Sequence, residues 1–127
     1  MSIAYLDTHV AVYLHDGLVE ELSREAKRQI EGNDLLISPM VFLEFDYLFR
    51  RKRLSAGAEE IYRNLNADFG ISLCSVPFAR VVWSALNTGW TQDPFDRLIV
   101  AQAAANQRAP LITRDKLIRQ NYNQAVW

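Results

Sequence analysis

The chain contains 127 residues, of which 50% are apolar and 23% are charged, and its formal charge at pH 7 is −1. This composition excludes a disordered tail, and the balanced charge excludes a global field that would draw the chain to nucleic acid. The single cysteine, Cys74, excludes a disulfide framework and a multi-cysteine zinc site. No apolar run approaches the ~18 residues of a membrane span, and no basic segment precedes Asp7. We therefore expect a cytoplasmic protein with one domain over residues 1–127.

Short apolar segments typical of buried strands alternate with amphipathic segments typical of helices. Ser38-Pro39 and Asp93-Pro94 each combine a favoured N-cap residue with proline at the first helical position. In chain order, the first half is predicted to contain a strand at residues 3–6, a helix from Thr8, an amphipathic helix over 18–31, a strand at 35–37, a helix over 39–53 and a helix capped by Ser55. The second half is predicted to contain a strand at 71–76, helices over 78–86 and 95–106, a strand at 110–113, a helix from about Lys116 and an edge strand at 126–127.

This alternation predicts an α/β fold with a mainly parallel sheet of four to five strands and helices on both faces. In sheets of this kind, ligands bind in the crevice outside the carboxyl ends of the strands. We therefore expect the residues that follow the predicted strands to lie at or near the rim of any active site. These residues are Asp7, Ser38, Pro77 and Asp115.

Most of the fifteen acidic residues lie in predicted turns or on polar helix faces, where they need no special function. Asp7 and Asp115 each follow a strand, and each of them alone could be a helix cap. Glu44 is different, because its neighbours three and four positions away are all apolar and burying an unpaired carboxylate is costly. A side chain that reaches solvent would explain Glu44, but a metal ion or another cation nearby explains it better.

Two further acids begin the helix predicted over 95–106. Both Asp93, at the N-cap, and Asp96, at the third helical position, would complement the helix dipole. Because Asp96 shares a helix face with Ile99 and Val100, we interpret Asp93 as the cap and Asp96 as a site residue. Asp7 and Asp115, which follow strands, and Glu44 and Asp96, which lie on apolar helix faces, together suggest one carboxylate cluster. Such a cluster suits Mg²⁺ or Mn²⁺ and the cleavage of phosphodiester bonds.

The remaining candidate ligands receive simpler interpretations. His9 and His15 are predicted to be packing or surface residues, and Cys74 is predicted to be a small core residue. The chain contains neither of the Gly-rich motifs that bind nucleotide phosphates, so the sequence offers no support for nucleotide binding of that kind.

Four stretches of the chain resemble, in order and spacing, the motifs of the PIN-domain family, and most closely those of VapC-type toxins from bacterial toxin–antitoxin pairs. The stretches are residues 5–9, 37–44, 93–103 and 111–115. The resemblance spans nearly the whole chain and implies a PIN-like three-layer sandwich. It also implies a ribonuclease that depends on Mg²⁺ or Mn²⁺.

The resemblance implies that four acids form the catalytic site, namely Asp7, Glu44, Asp96 and Asp115. We expect Asp7 and Asp96 to be the principal metal ligands, with the other two completing the shell directly or through water. A water activated by the metal would then attack the phosphodiester. The resemblance further suggests that Thr8 and Thr113 orient a carboxylate, a water or a phosphate, and it leaves the role of Asp93 open.

The resemblance also implies partners: an RNA substrate, a small DNA-binding antitoxin and a second toxin copy in a homodimer. Independent support comes from an aromatic content larger than one small core obviously needs, some of which could contact such partners. Internal packing explains each of these residues equally well. They are Phe42, Phe45, Tyr47, Phe49, Trp83 and Trp90.

Three alternatives remain. An aspartyl-phosphate phosphatase also places an aspartate after its first strand, but it needs a second aspartate two positions later, where this chain has His9. A phosphoacceptor receiver domain needs a carboxylate at the end of its third strand, where this chain runs into Ser75-Val76-Pro77. A non-catalytic PIN-like module that binds RNA or protein is disfavoured by the complete set of acids.

Overall fold

The computed structural model describes residues 2–127, and these form a sheet of five strands that all run parallel. The strand order is β3-β2-β1-β4-β5, so the chain builds outward from β1 in one direction and then in the other. Because parallel crossovers are right-handed, this reversal places helices on both faces of the sheet. The strands are β1 (Ile3–Leu6), β2 (Asp34–Ile37), β3 (Ser72–Leu73), β4 (Leu111–Ile112) and β5 (Ala125–Val126).

In the described part of the chain, seven α-helices connect the strands, and a short 3-10 turn at Val19–Glu21 precedes the second of them. The predicted α/β class with a parallel sheet is therefore confirmed, and the predicted edge strand at the C-terminus is present. The helices are α1 (Thr8–His15), α2 (Arg24–Gly32), α3 (Pro39–Arg50), α4 (Ala58–Phe69), α5 (Phe78–Ala85), α6 (Pro94–Ala105) and α7 (Lys116–Asn121).

Two of the predicted helix starts are confirmed at the level of individual atoms. The Ser38 hydroxyl accepts a hydrogen bond from the backbone N–H of Met40, and the Asp93 carboxylate accepts one from the N–H of Phe95. In both helices proline follows the cap at the first position. Each cap satisfies a backbone N–H that has no partner inside the helix, which stabilises the helix by about 1 kcal/mol.

Other predicted boundaries are wrong for local reasons. The helix predicted over 18–31 is interrupted, because the Ser23 hydroxyl accepts a hydrogen bond from the N–H of Ala26 and starts α2 only at Arg24. Ser55 does not cap α4, which follows Gly57 without a side-chain cap. The helix predicted to reach residue 53 ends at Arg50, and the strand predicted over 71–76 is only two residues long.

The apolar core lies on both faces of the sheet. Most of the strands are therefore apolar along their whole length rather than on alternate residues. Leu6 of β1, Ile37 of β2 and Ile112 of β4 are completely buried, as is Phe45 on the inner face of α3. Cys74 is buried, as predicted, with its sulfur 2.8 Å from the Tyr5 hydroxyl. Complete burial of one such aliphatic or aromatic side chain stabilises the fold by about 1.5–3 kcal/mol.

The aromatic residues divide between the core and the surface. Phe45 is buried, and Phe42 and Trp90 pack partly buried against the core. Tyr47 and Phe49 are exposed, as is Trp83, which keeps 73% of its surface accessible. Within residues 2–127, none of the helices combines the length and the apolar character that a membrane crossing requires.

Candidate active site at the reversal of the sheet

The reversal of strand order between β1 and β4 is the place where a parallel α/β sheet opens a crevice at its carboxyl edge. Asp7 follows β1 and is only 4% exposed. One of its carboxylate oxygens accepts a hydrogen bond of 2.8 Å from the N–H of Thr8, so Asp7 is the N-cap of α1. The other oxygen accepts a 2.6 Å hydrogen bond from the hydroxyl of Thr113 at the end of β4. Asp7 is therefore both a helix cap and a carboxylate held across the crevice.

Thr113 links two of the acids. Its buried hydroxyl donates to Asp7 and accepts a 3.0 Å hydrogen bond from the backbone N–H of Asp115. The carboxylate of Asp115 in turn accepts from the N–H of Ile118 and caps α7. A single threonine thereby couples the positions of the acids that follow β1 and β4.

Glu44 reaches the same place from the middle of α3. The hydroxyl of Thr8 donates a hydrogen bond to the Glu44 carboxylate, which lies partly buried. Burial raises the pKa of Glu44, and the negative charges of Asp7 and Asp93 raise it further, although the Thr8 hydrogen bond acts in the opposite direction. The apolar neighbours seen in the sequence therefore do create the dehydrated environment that made this residue unusual.

Asp96 has the most perturbed carboxyl of the group. Burial is the largest cause, and the charges of Asp7, Asp93, Asp115 and Glu44 add to it, so that the pKa of Asp96 rises to about 7. An ordinary aspartate has a pKa near 3.9. Asp96 therefore lies in the field of all four other acids, and in the absence of a cation its ionisation is opposed by each of them.

These side chains surround one cavity of about 370 Å³, which we call the acid pocket. The five carboxylates that line it are those of Asp7, Glu44, Asp93, Asp96 and Asp115. A larger cavity of about 570 Å³ beside α7 holds one carboxylate, Glu25, together with Lys116 and Arg119. The acid pocket is therefore the better candidate site, because five carboxylates converge there and burial together with their mutual repulsion raises the pKa of Glu44 and of Asp96.

Ser38 and Pro77 do not line the acid pocket, contrary to the expectation that they lie near its rim. They follow β2 and β3, which lie on the same side of β1 and away from its junction with β4. Ser38 is buried and donates a hydrogen bond to the side chain of Gln102. The position of a strand relative to the reversal of the sheet, and not its carboxyl end alone, decides which residues reach the site.

The donor set of the acid pocket fits a hard divalent cation. Within residues 2–127, no group of three or more His, Cys, Asp or Glu side chains is arranged to hold a metal ion as it stands. Mg²⁺, however, commonly uses only one or two protein carboxylates and completes its shell with water and substrate phosphate. The raised pKa of Asp96 also reports an excess of negative charge that a cation would neutralise. Carboxylate oxygen is the ligand that Mg²⁺ and Mn²⁺ prefer.

Among the residues that line the acid pocket but were not predicted to lie at the site are two with nitrogen-bearing side chains, His9 and Arg53. The Nε2 atom of His9 accepts a 2.8 Å hydrogen bond from the backbone N–H of Arg114, which leaves the ring proton on Nδ1, 3.6 Å from the Asp7 carboxylate. His9 also packs edge-on against Tyr13 and Trp127, in agreement with a packing role. Its place two residues after Asp7, in the first turn of α1, was the available signal.

Comparison with known proteins identifies the class to which this site belongs. The family model described as PIN domain matches residues 4–123, so the chain belongs to the PIN-domain family and the resemblance inferred from its motifs is confirmed. No curated protein matches the chain significantly.

Solved structures share the fold over almost the entire chain. A crystal structure of VapBC2 from Rickettsia felis bound to a promoter DNA fragment matches with a TM-score of 0.64 at 18% identity, covering 98% of this chain and 96% of that one. A toxin–antitoxin complex from Klebsiella pneumoniae matches with a TM-score of 0.63 at 20% identity and the same coverage. VapBC-1 from nontypeable Haemophilus influenzae matches with a TM-score of 0.58 at 18% identity, again with 98% and 96% covered.

Proposed function

We propose that this PIN-domain protein is a metal-dependent endoribonuclease that acts as the toxin of a toxin–antitoxin pair. The observation that carries the proposal is the convergence of four other acids around the half-buried Asp96, where burial first and then their negative charges raise the pKa of that residue to about 7. A site that accumulates negative charge in this way is suited to a divalent cation and to a substrate whose reacting group is a phosphate. The sharing of a fold with proteins from VapBC complexes supports the toxin assignment.

In this proposal Asp7 and Asp96 hold the metal ion, and Glu44 and Asp115 complete its shell directly or through water. When bound, Mg²⁺ or Mn²⁺ supplies an activated water and stabilises the charge that develops on the leaving oxygen. The threonines act on the acids. The Thr113 hydroxyl orients the Asp7 carboxylate and the Thr8 hydroxyl orients that of Glu44, so the ligands are held in place before substrate arrives.

Asp93 has a different role in this proposal. Its carboxylate caps α6 and is occupied by two backbone N–H groups, those of Phe95 and Asp96. It thereby fixes the first turn of the helix that presents Asp96, and its charge adds to the field that favours a cation. Asp93 therefore positions the site and need not bind the metal.

The cleavage experiment uses a panel of single-stranded RNAs with Mg²⁺, with Mn²⁺ or with excess EDTA. We expect cleavage only with metal, and a loss of at least ~100-fold in Asp7→Asn and in Asp96→Asn, as for other groups that stabilise a transition state directly. Asp46→Asn is the matched control, because Asp46 lies on the same helix as Glu44 but pairs with Arg50 at the surface. Cleavage that persists in EDTA or in both variants would contradict the proposal. Metal-stimulated RNA binding without cleavage would support a non-catalytic PIN-like module instead.

The antitoxin is proposed to inhibit by inserting a basic side chain into the acid pocket, where Arg can form a bidentate, charge-assisted contact with a carboxylate. The protein encoded by the neighbouring gene should copurify with this chain in a stoichiometric complex and relieve its arrest of cell growth. A homodimer at the centre of that complex and action on RNA in the cytoplasm belong to the same proposal. If the neighbour neither binds nor protects cells, the toxin assignment fails even where the nuclease activity stands.

A further inference from the structure

Four consecutive cations, residues 50–53, begin at the last residue of α3, and they divide into two pairs. Arg50 donates a 2.7 Å hydrogen bond to Asp46, and the guanidinium of Arg51 lies 5.4 Å from the centre of the Tyr47 ring. Within residues 2–127, the side chains of Lys52 and Arg53 form no salt bridge. Arg50 and Arg51 thus interact with side chains of α3, whereas the charges of Lys52 and Arg53 are available to a ligand.

The backbone turn that ends α3 determines where this second pair lies. The N–H of Lys52 donates to the carbonyl of Phe49 at 2.9 Å, and the N–H of Arg53 donates to that of Leu48 at 2.8 Å. Lys52 has a φ of 61°, a left-handed conformation that is usual for glycine after a helix and costs other residues about 1–2 kcal/mol. Leu54, packed against the core, anchors the chain immediately beyond. The turn is therefore held on both sides and presents its cations in a defined direction.

That direction is toward the acid pocket. Among residues 2–127, Arg53 is the one Arg or Lys that lines this pocket. Lys52 and Arg53 also line an adjoining cavity of about 390 Å³. The two cavities share Val12 and Leu54 as well as Arg53, so a continuous depression runs from the carboxylates past Arg53 to Lys52.

A phosphodiester chain would need cations at such a place. Five carboxylates line the acid pocket and repel each phosphate that approaches, and a metal ion offsets that repulsion only at its own position. The phosphates on either side of the reacting one therefore need cations outside the acid cluster. Arginine is suited to this contact because its planar guanidinium binds phosphate through two parallel hydrogen bonds.

We propose that Arg53 and Lys52 bind consecutive phosphates of single-stranded RNA along this depression and hold the strand so that its next phosphate lies against the acid pocket. This inference rests on the proposed ribonuclease function and adds the side chains that position its substrate. Arg53, nearest the acids, sets the distance between the bound strand and the carboxylates. Lys52, a point charge on a flexible chain, adds affinity with less geometric selectivity.

The test measures binding of an unstructured, fluorescently labelled single-stranded RNA as a function of salt, in the Asp96→Asn protein so that the probe stays intact. Each phosphate contact on a single strand contributes about 0.7 to the slope of log K against log salt concentration. We expect Arg53→Gln and Lys52→Gln each to reduce the slope by about that amount and to weaken binding several-fold at low salt. Arg50→Gln and Arg51→Gln are charge-matched controls and should keep the parent slope.

A second measurement separates substrate positioning from simple neutralisation of the acids. In the active protein, Arg53→Gln should raise KM for RNA about 10-fold, and Arg53→Lys should recover part of that loss. If Arg53 only neutralises the acids, Arg53→Gln will lower the metal-free melting temperature and leave the salt slope unchanged, and the inference is wrong. If the parent cleaves RNA but all four Gln variants have equal slopes, the inference fails alone. A parent that neither binds nor cleaves RNA removes the proposed function as well.

Discussion

Asp96 in the acid pocket and Glu25 on the outer face of α2 have opposite electrostatic surroundings, although both lie in the first turn of a helix. Glu25, in the first turn of α2, accepts hydrogen bonds from Arg28 and Gln29, which lower its pKa to about 2. Asp96, in the first turn of α6, is surrounded by other acids and has a pKa of about 7.

The helix N-terminus favours a negative charge in both cases, so it cannot be the source of the difference. What differs is the neighbourhood. Glu25 has a cation one turn away on the same helix, whereas Asp96 has another acid there, Asp93, and three more acids that follow β1, lie in α3 and follow β4. Glu25, Asp46 and Glu59 each pair with an arginine one turn along their own helix, whereas the acids of the pocket are left for a ligand to neutralise.

The largest effect is expected from the ligand itself. Mn²⁺ at 100 times its dissociation constant should stabilise the parent by about 2.7 kcal/mol, because it binds the folded site and not the dispersed acids of the unfolded chain. Asp96→Asn should lose most of this stabilisation. Glu60→Gln is a matched control, since Glu60 holds the equivalent third position of α4 on an exposed surface. Urea unfolding with and without Mn²⁺ measures the effect, and equal stabilisation of all three proteins would exclude Asp96 as a ligand.

The next effect concerns the hydrogen bond that holds Asp7 across the crevice. Thr113→Val keeps the shape of the side chain but removes the donor to a buried carboxylate, which should cost about 1–3 kcal/mol in the free energy of unfolding. In an Asp7→Asn background the same substitution should cost measurably less, because the buried charge is gone. Additive costs in the double variant would show that Thr113 acts through other contacts, such as the one with the Asp115 N–H.

A smaller effect follows from the raised pKa of Asp96. Between about pH 4 and pH 7 the folded chain binds more protons at this residue than the unfolded chain does, so its contribution to stability falls as the pH rises through this window. In EDTA above pH 7, Asp96→Asn should therefore be more stable than the parent by about 1–2 kcal/mol, a value reduced for partial exposure to solvent. The advantage should shrink toward pH 4. A destabilised Asp96→Asn at neutral pH would mean that Asp96 is chiefly a helix-capping residue.

The smallest effect is expected at the exposed ion pair between Glu25 and Arg28. The pKa of Glu25 is lowered, so its contribution is present above about pH 4 and lost as the pH falls toward 2, which is opposite in sign to that of Asp96. Glu25→Gln should lower the melting temperature slightly in low salt. In about 1 M salt, where exposed charges are screened within ~3 Å, the difference should vanish. A large loss that resists salt would show that the contrast between the two regions is overstated.

Much of the local structure was predictable because its causes lie within a few residues. The Ser38-Pro39 and Asp93-Pro94 starts depend on a hydrogen bond that the backbone N–H two residues later donates to the side chain of the cap. Glu44 and Asp96 could be selected as site residues because each is a charged residue among apolar neighbours on one helix face. The break before α2 was missed because the apolar period of residues 18–31 obscured a competing cap at Ser23.

The residues Arg53 and His9 could not be placed at the site from periodicity. The position of Arg53 depends on the left-handed backbone conformation of Lys52. Such a conformation can be predicted from sequence at glycine but not at lysine. His9 reaches the pocket through a contact with the backbone of Arg114, 105 positions away. Neither contact has a signature in the pattern of apolar residues.

By itself, the sequence determined the strands, most helix starts and the short list of acids with unusual neighbours, because these depend on side-chain periodicity and on hydrogen bonds within one turn. The sequence also suggested that four of these acids cluster, but only the tertiary structure decided that Asp93 lines the same pocket and that the reversal of strand order between β1 and β4 brings the acids together. The Thr113 hydroxyl meets Asp7 across 106 positions because the sheet places the ends of two strands side by side. Most of the shift in the pKa of Asp96 arises from that assembly, since its burial and the field of three acids distant in sequence, Asp7, Glu44 and Asp115, exist only in the folded chain.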